Sequence, residues 1–130
     1  MDILTALFIA NTTRFNLPNG LLSSLCFVES RHISSIVHKH DGKSHSYGIC
    51  QVKLETARYL GFIGTQDELL KPENNIFYAA MYLNKQIRRY NDITKGIVAY
   101  NRGNALRLTR SNYSDKVIKH WGENNKYVRN

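Results

Sequence analysis

A mostly α-helical fold with little β structure and one long functional loop is what this 130-residue sequence predicts. Three observations carry it. Apolar residues recur at three- and four-residue spacing in several separate stretches, the mark of helices with one face turned to a core. Pro18, Gly61, Pro72 and Gly103 stand at the edges of those stretches. Between Arg31 and Tyr47 the period vanishes into a run of Ser34, Ser35, Asp41, Gly42, Ser44 and Ser46 with several histidines. The length suits a single core and is too small for two. Apolar content of 42% with 22% charged residues is that of a globular chain. The expected organisation is one domain over 1–130, with an N-terminal helix and connection (1–19), a main body (20–121) and a tail (122–130).

Taken in order, Ile3, Leu4, Leu7 and Phe8 open a first helix, with Asp2 well placed against the positive end of its dipole. Its apolar run is short, is preceded by an acid, and is followed by polar Asn11, Thr12 and Thr13, so it reads as part of the fold and not as a signal peptide. Leu21, Leu22, Leu25, Cys26 and Glu29 share one face of a second helix, begun after Pro18 and Asn19. The aperiodic stretch follows, as a loop or a short irregular hairpin, and long loops in small domains are commonly functional. Lys53 to Leu60 is a short helix stopped by Gly61. Ile76, Ala80, Leu83, Ile87 and Tyr90 form the stripe of a longer helix opened by Pro72. Ile93 to Tyr100 makes another, ending near Gly103. The last runs from about Tyr113 to Trp121, with Gly122 as its stop signal. Tyr59, Tyr78, Tyr82 and Tyr90 sit at helical spacings and are expected in the core or at its edge, and Trp121 is expected to be structural.

Eighteen basic residues against ten acidic ones leave a net charge of +8, which favours anionic partners: nucleic acid, acidic lipid or an anionic cell wall. The basic residues are scattered and no nucleic-acid motif appears, so the Lys85, Arg88 and Arg89 face reads as a solvated helix side. No stretch is long enough to span a membrane. Cys26 and Cys50 are too few for a disulfide framework. Each lies among apolar neighbours, and the expectation is two free buried thiols, with a bridge open only if the fold brings them together.

Glu29 stands at the end of an apolar helix, on the face shared by Leu22, Leu25 and Cys26. An acid there is solvated at the helix end, paired with a base such as Arg31, or buried and functional. A carboxyl held among hydrocarbon resists ionisation, which is what glycosidic bond cleavage asks of a proton donor.

The joint order of Glu29-Ser30, a loop, Gly48-Ile49-Cys50-Gln51, a helix starting Pro72-Glu73-Asn74-Asn75-Ile76, then Ala99-Tyr100-Asn101-Arg102-Gly103 and a late Tyr113 resembles the catalytic domain of lytic transglycosylases. The likeness runs from about Gly20 to Trp121. It implies a lysozyme-like fold and cleavage of the glycan strands of peptidoglycan, with no cofactor and no metal. Residue by residue, Glu29 matches the sole catalytic acid/base. Gln51 matches a hydrogen-bonding wall of the sugar cleft, Tyr100 and Asn101 the pair beside the catalytic carboxyl, and Tyr113 the tyrosine reaching back to it. Ser30 matches a position that either contacts substrate or holds structure, and Tyr47, next to the glycine motif, either stacks on a sugar or packs. The implied chemistry is a non-hydrolytic cut that leaves a 1,6-anhydromuramoyl end, with one carboxyl where an ordinary glycosidase needs two.

Three departures stand out. The loop after Glu29 is long and histidine-rich, Cys50 replaces the usual methionine, and Arg102 replaces a small residue and would add positive charge at the cleft rim. Asp41 precedes Gly42 and reads as a turn former. Its alternative is a water-activating second carboxylate, which would make the enzyme a hydrolytic lysozyme. His38, His40, Asp41 and His45 have loose spacing for a metal site and read as a polar loop. A basic wall-binding module without catalysis is the alternative of another class. A small basic domain of this kind, made in the cytoplasm without a leader and acting as a monomer on the wall, suits a phage lysin or a wall-piercing accessory of a secretion apparatus.

Overall fold

The computed structural model describes residues 1–39 and 44–125. Seven helices occur among them: α1 (Ile3–Arg14), α2 (Leu21–Ser30), α3 (Leu54–Tyr59), α4 (Gln66–Leu70), α5 (Pro72–Tyr90), α6 (Ile93–Arg102) and α7 (Asn112–Asn125). Three two-residue strands, β1 (Val37–His38), β2 (Ser46–Tyr47) and β3 (Val52–Lys53), form an antiparallel sheet in the order β1-β2-β3. The expectation of a mostly helical chain with little β structure is met. The aperiodic stretch after α2 contributes the first two strands, and His40 and Asp41 lie outside the described residues.

Local chemistry sets most boundaries. The Asp2 carboxylate caps α1 by accepting from the Thr5 amide at 2.7 Å. Thr65 and Glu68 close a capping box at the start of α4, a helix that the apolar period of the sequence is too short to reveal. Pro72 sits in the first turn of α5, where its missing N–H costs nothing. Gly103 ends α6 in the left-handed conformation, φ 90°. Gly122, by contrast, does not stop the last helix: α7 continues to Asn125. A helix-interior glycine costs only about 1 kcal/mol relative to alanine, which packing elsewhere along α7 offsets.

α5 is the central element. It packs on α6, α1 and α4, while α2 packs on α7. Leu21, Leu22, Leu25, Ile49, Ile76, Leu83, Ile97 and Val117 are fully buried between them. The four tyrosines divide: Tyr78 and Tyr82 pack against this core and Tyr90 against a smaller cluster of Val98, Ala99 and Ala105. Tyr59 is instead 74% exposed, with only the Lys85 ammonium over its ring. Tyr59 is the last residue of α3, whose buried position is taken by Ala57. Trp121 is structural: its indole N–H donates to the Asn19 carbonyl at 2.8 Å, tying α7 to the entry of α2.

The close crossing of α5 and α6 depends on Gly96. A Cβ there would lie 2.4 Å from Ile87 Cγ1 and 2.7 Å from its Cα, so backbone would have to move. Gly96→Ala is expected to destabilise the fold by about 1–3 kcal/mol despite alanine's better helix propensity, because overpacking dominates. Urea unfolding of the two proteins measures this; equal midpoints would contradict it.

The thiols are not free. Cys26 and Cys50 are joined by a disulfide, with Cα atoms 4.3 Å apart. The expectation of separate thiols fails because α2 and the turn after β2 are packed face to face, a proximity that sequence spacing does not encode. The bridge ties the helix carrying Glu29 to the turn carrying Gln51.

Candidate active site

Glu29 occupies the last turn of α2, which ends where Arg31 and His32 both adopt positive φ (57° and 62°) and turn the chain sharply away. Ser30, buried, donates its hydroxyl to the Ile49 carbonyl at 2.6 Å and accepts from the Ile33 amide at 3.2 Å. The end of α2 is thereby stitched to the turn spanning Gly48 to Gln51.

That turn is shaped by two residues. Gly48 has φ 79°, and a Cβ on it would come within 2.6 Å of Asn75 Nδ2. The fully buried Asn75 donates to the carbonyls of Tyr47 (2.7 Å) and Leu69 (2.9 Å) and accepts from the Cys50 amide (2.8 Å). Asn75 explains the chemistry of the Pro72 to Ile76 motif: its amide satisfies backbone groups that no strand or helix reaches.

Gln51, at φ 52°, donates through Nε2 to the carbonyls of Gly48 (2.9 Å) and Ile36 (3.1 Å). Those two acceptors orient the amide, leaving Oε1 buried with no partner among the described residues. The group faces a cleft of about 460 Å³ whose wall also includes Glu29, Tyr82, Tyr100 and Asn101. Tyr100 is buried and its hydroxyl donates to the Cys50 carbonyl at 2.7 Å, while Asn101 is exposed on the rim. Tyr113, from α7, donates to Glu29 Oε2 at 2.6 Å. Glu29, Gln51, Tyr100, Asn101 and Tyr113, drawn from α2, the turn before β3, α6 and α7, thus converge. Ser30 and Tyr47 lie behind the wall. Tyr47 is 5% exposed and packed in the core beside the His45 ring. Arg102 is exposed between the cleft-lining Asn101 and Gly103.

Burial pushes the Glu29 carboxyl up from its ordinary value of 4.5 to about 7, opposed by the hydrogen bond from Tyr113. The hydroxyls of Tyr113 and Tyr100 are raised well above 10, chiefly by burial and then by the nearby Glu29 charge. Both therefore stay protonated donors. Removing the Tyr113 hydroxyl leaves burial unopposed, so in Tyr113→Phe the alkaline limb of activity is expected to move to higher pH. A pH–rate profile of that variant checks this; a limb that stayed put or moved to lower pH would contradict it.

His38, Lys53, Glu55, Thr56 and Tyr82 also line the cleft, and sequence reasoning did not assign them to it. Tyr82 hides in the apolar stripe of α5. Lys53 and Glu55 reach the cleft from the end of β3 and the first turn of α3, a change of element that no single sequence period reveals.

The transglycosylase SLT domain family matches residues 6–121. Protein IpgF of Shigella flexneri is 28% identical over 112 residues, covering 83% of this chain and 74% of that protein. Its Shigella sonnei counterpart is 27% identical over the same shares. Among solved structures, an inactive mutant of lytic transglycosylase Slt from Pseudomonas aeruginosa aligns with a TM-score of 0.66 and 22% identity, over 97% of this chain. The chain spans 22% of the length of that Slt chain, and at this identity the likeness speaks for the lysozyme-like fold alone. With the family matching nearly its whole described length, the chain belongs to the transglycosylase SLT domain family, the lytic transglycosylases that act on peptidoglycan.

Proposed function

We propose that the protein cuts the β-1,4 bond between N-acetylmuramic acid and N-acetylglucosamine without consuming water, with Glu29 acting first as acid and then as base. One observation carries this reading: a half-buried carboxyl, raised by burial to about 7, lines a cleft together with the hydrogen-bonding side chains of Gln51, Tyr100 and Asn101, while the other carboxyl of the cleft, Glu55, is exposed. Protonated Glu29 donates its proton to the glycosidic oxygen as the bond to the muramoyl C1 breaks. The leaving N-acetylglucosamine departs with a 4-hydroxyl. The muramoyl 6-hydroxyl then closes on C1 while the Glu29 carboxylate takes its proton, which restores the starting enzyme and forms a 1,6-anhydro ring.

The Tyr113 hydroxyl steadies the carboxylate between the two steps, since its hydrogen bond favours the charged form. Asn101, exposed on the cleft rim, offers both donor and acceptor to a sugar hydroxyl or acetamido group, and Gln51, its amide held by the Gly48 and Ile36 carbonyls, shapes the wall behind it. None of these adds a negative charge to compete with Glu29 for its proton. The same cleft chemistry supports action on glycan strands of the cell wall in preference to nucleic acid.

Mass analysis of the fragments released from purified peptidoglycan tests the proposal. Anhydromuramoyl ends, one water lighter per cut than hydrolytic ends, are expected. Reducing muramic acid alone would replace this reading with hydrolysis and turn attention to Asp41 or the cleft-lining Glu55 as the second carboxylate.

A further inference from the structure

The strand register places three polar side chains in one row. His38 of β1 lies opposite Ser46 of β2, and Ser46 lies opposite Lys53 of β3. Directly opposed residues stand about 5 Å apart and project to the same face of a sheet. That face is the cleft wall: all three residues line the same cavity as Glu29. The row thus presents a ring N–H donor, a hydroxyl and an ammonium across one wall.

We infer that this row binds a carboxylate carried by the glycan substrate, an inference that rests on the proposal that the cleft takes peptidoglycan strands. The positive charge on the wall is not spent within the protein. Among the described residues the one ion pair is Arg110 with Asp115, far along the chain from this sheet, and Lys53 is exposed. Glu55, in the first turn of α3, lines the same wall two residues on. Its negative charge makes the strip unsuited to a continuous polyanion and suited to one discrete carboxylate. Peptidoglycan offers that group in two places, on the lactyl ether of muramic acid when it is unsubstituted and on the peptide stem. Uncharged N-acetylglucosamine units offer none. A carboxylate held by Lys53 and His38 would fix which sugar lies against Glu29, and so which of the two alternating glycosidic bonds is cut.

Binding measured by calorimetry in the non-cleaving Glu29→Gln protein tests this with three ligands: stem-bearing glycan fragments, the same fragments stripped of stems by an amidase, and chitooligosaccharides, which lack carboxylates. Adding Lys53→Ala is expected to weaken binding of at least one of the two muramic-acid ligands, stem-bearing or stripped, about tenfold at low salt, the scale of a hydrogen bond to a charged group. Lys53→Arg should largely restore it, and chitooligosaccharide binding should be unchanged. If the loss falls on the stripped fragments alone, the carboxylate is the lactyl one, which the amidase frees; if it falls on the stem-bearing fragments, alone or as well, the stem supplies it. Either outcome supports the row as a carboxylate reader. An equal effect of Lys53→Ala on all three ligands, or none on any, overturns it while leaving the cutting reaction intact. Failure of the Glu29→Gln protein to bind any of the three would overturn the proposed substrate and this inference together.

Discussion

Glu29→Gln is expected to lower the rate of peptidoglycan cleavage by about a thousandfold while making the folded protein more stable above neutral pH. The rate loss follows from removing the one proton donor at the head of the cleft, a contribution typically worth about 10²–10⁴. The stability gain follows from the direction of the Glu29 shift. Its carboxyl titrates near 7 in the fold against an ordinary value of 4.5, so between those pH values the folded state binds more protons than the unfolded state. Stability therefore falls as pH rises through that window, because above it the fold must hold a charge that burial disfavours. Glutamine has nearly the same shape, carries no charge, and can still accept from Tyr113. The variant should match the wild type at pH 4 and exceed it at pH 8 by on the order of 2 kcal/mol, a value discounted for the partial exposure of the group. Wild-type activity should correspondingly fall about tenfold per pH unit above 7 as the protonated acid disappears. Thermal melts at both pH values, with a turnover assay, check the pair of effects. A glutamine variant that kept its activity, or melted in parallel with the wild type at every pH, would remove Glu29 from its assigned role.

Opening the Cys26–Cys50 bridge is the second large effect. The two residues are 24 apart in sequence, and closing a loop of that length in the unfolded chain stabilises a fold by about 3 kcal/mol in the chain-entropy account. The double variant Cys26→Ser, Cys50→Ser, or the wild type under a strong reductant, should melt roughly 10 °C lower. The bridge also joins the two elements that set Glu29 against Gln51, so the activity loss should exceed what the fraction unfolded accounts for. Circular dichroism melts and rates measured well below the transition separate the two contributions. A variant that melts with the wild type would show that packing of Leu25, Ile49 and Asn75 holds this junction unaided.

The cleft contains groups of both kinds, those readable in the sequence and those not. Glu29, Gln51, Asn101 and Tyr113 were legible through the joint order of motifs that resembles lytic transglycosylases, and the fold brings all four together. The long helices were equally readable, since a 3.6-residue apolar period has few other causes. Ser30 illustrates the opposite case. Its position invited two roles, and only the 2.6 Å hydrogen bond to the Ile49 carbonyl places it behind the wall. Tyr47 looked suited to stacking on a sugar, yet the pairing with Val37 and Val52 turns it into the core.

What the amino-acid order determined by itself was the helical class and the succession of elements, while its resemblance to lytic transglycosylases made Glu29 the candidate acid. These depend on local periodicity and on residue chemistry, both written along the chain. Only the tertiary structure decided that burial raises the Glu29 carboxyl to about 7, that the cysteines are joined, and that His38, Ser46 and Lys53 share a row on the same cleft. Each of those is a matter of distances between segments far apart in sequence. Burial, bridging and strand register exist only once the chain has closed on itself.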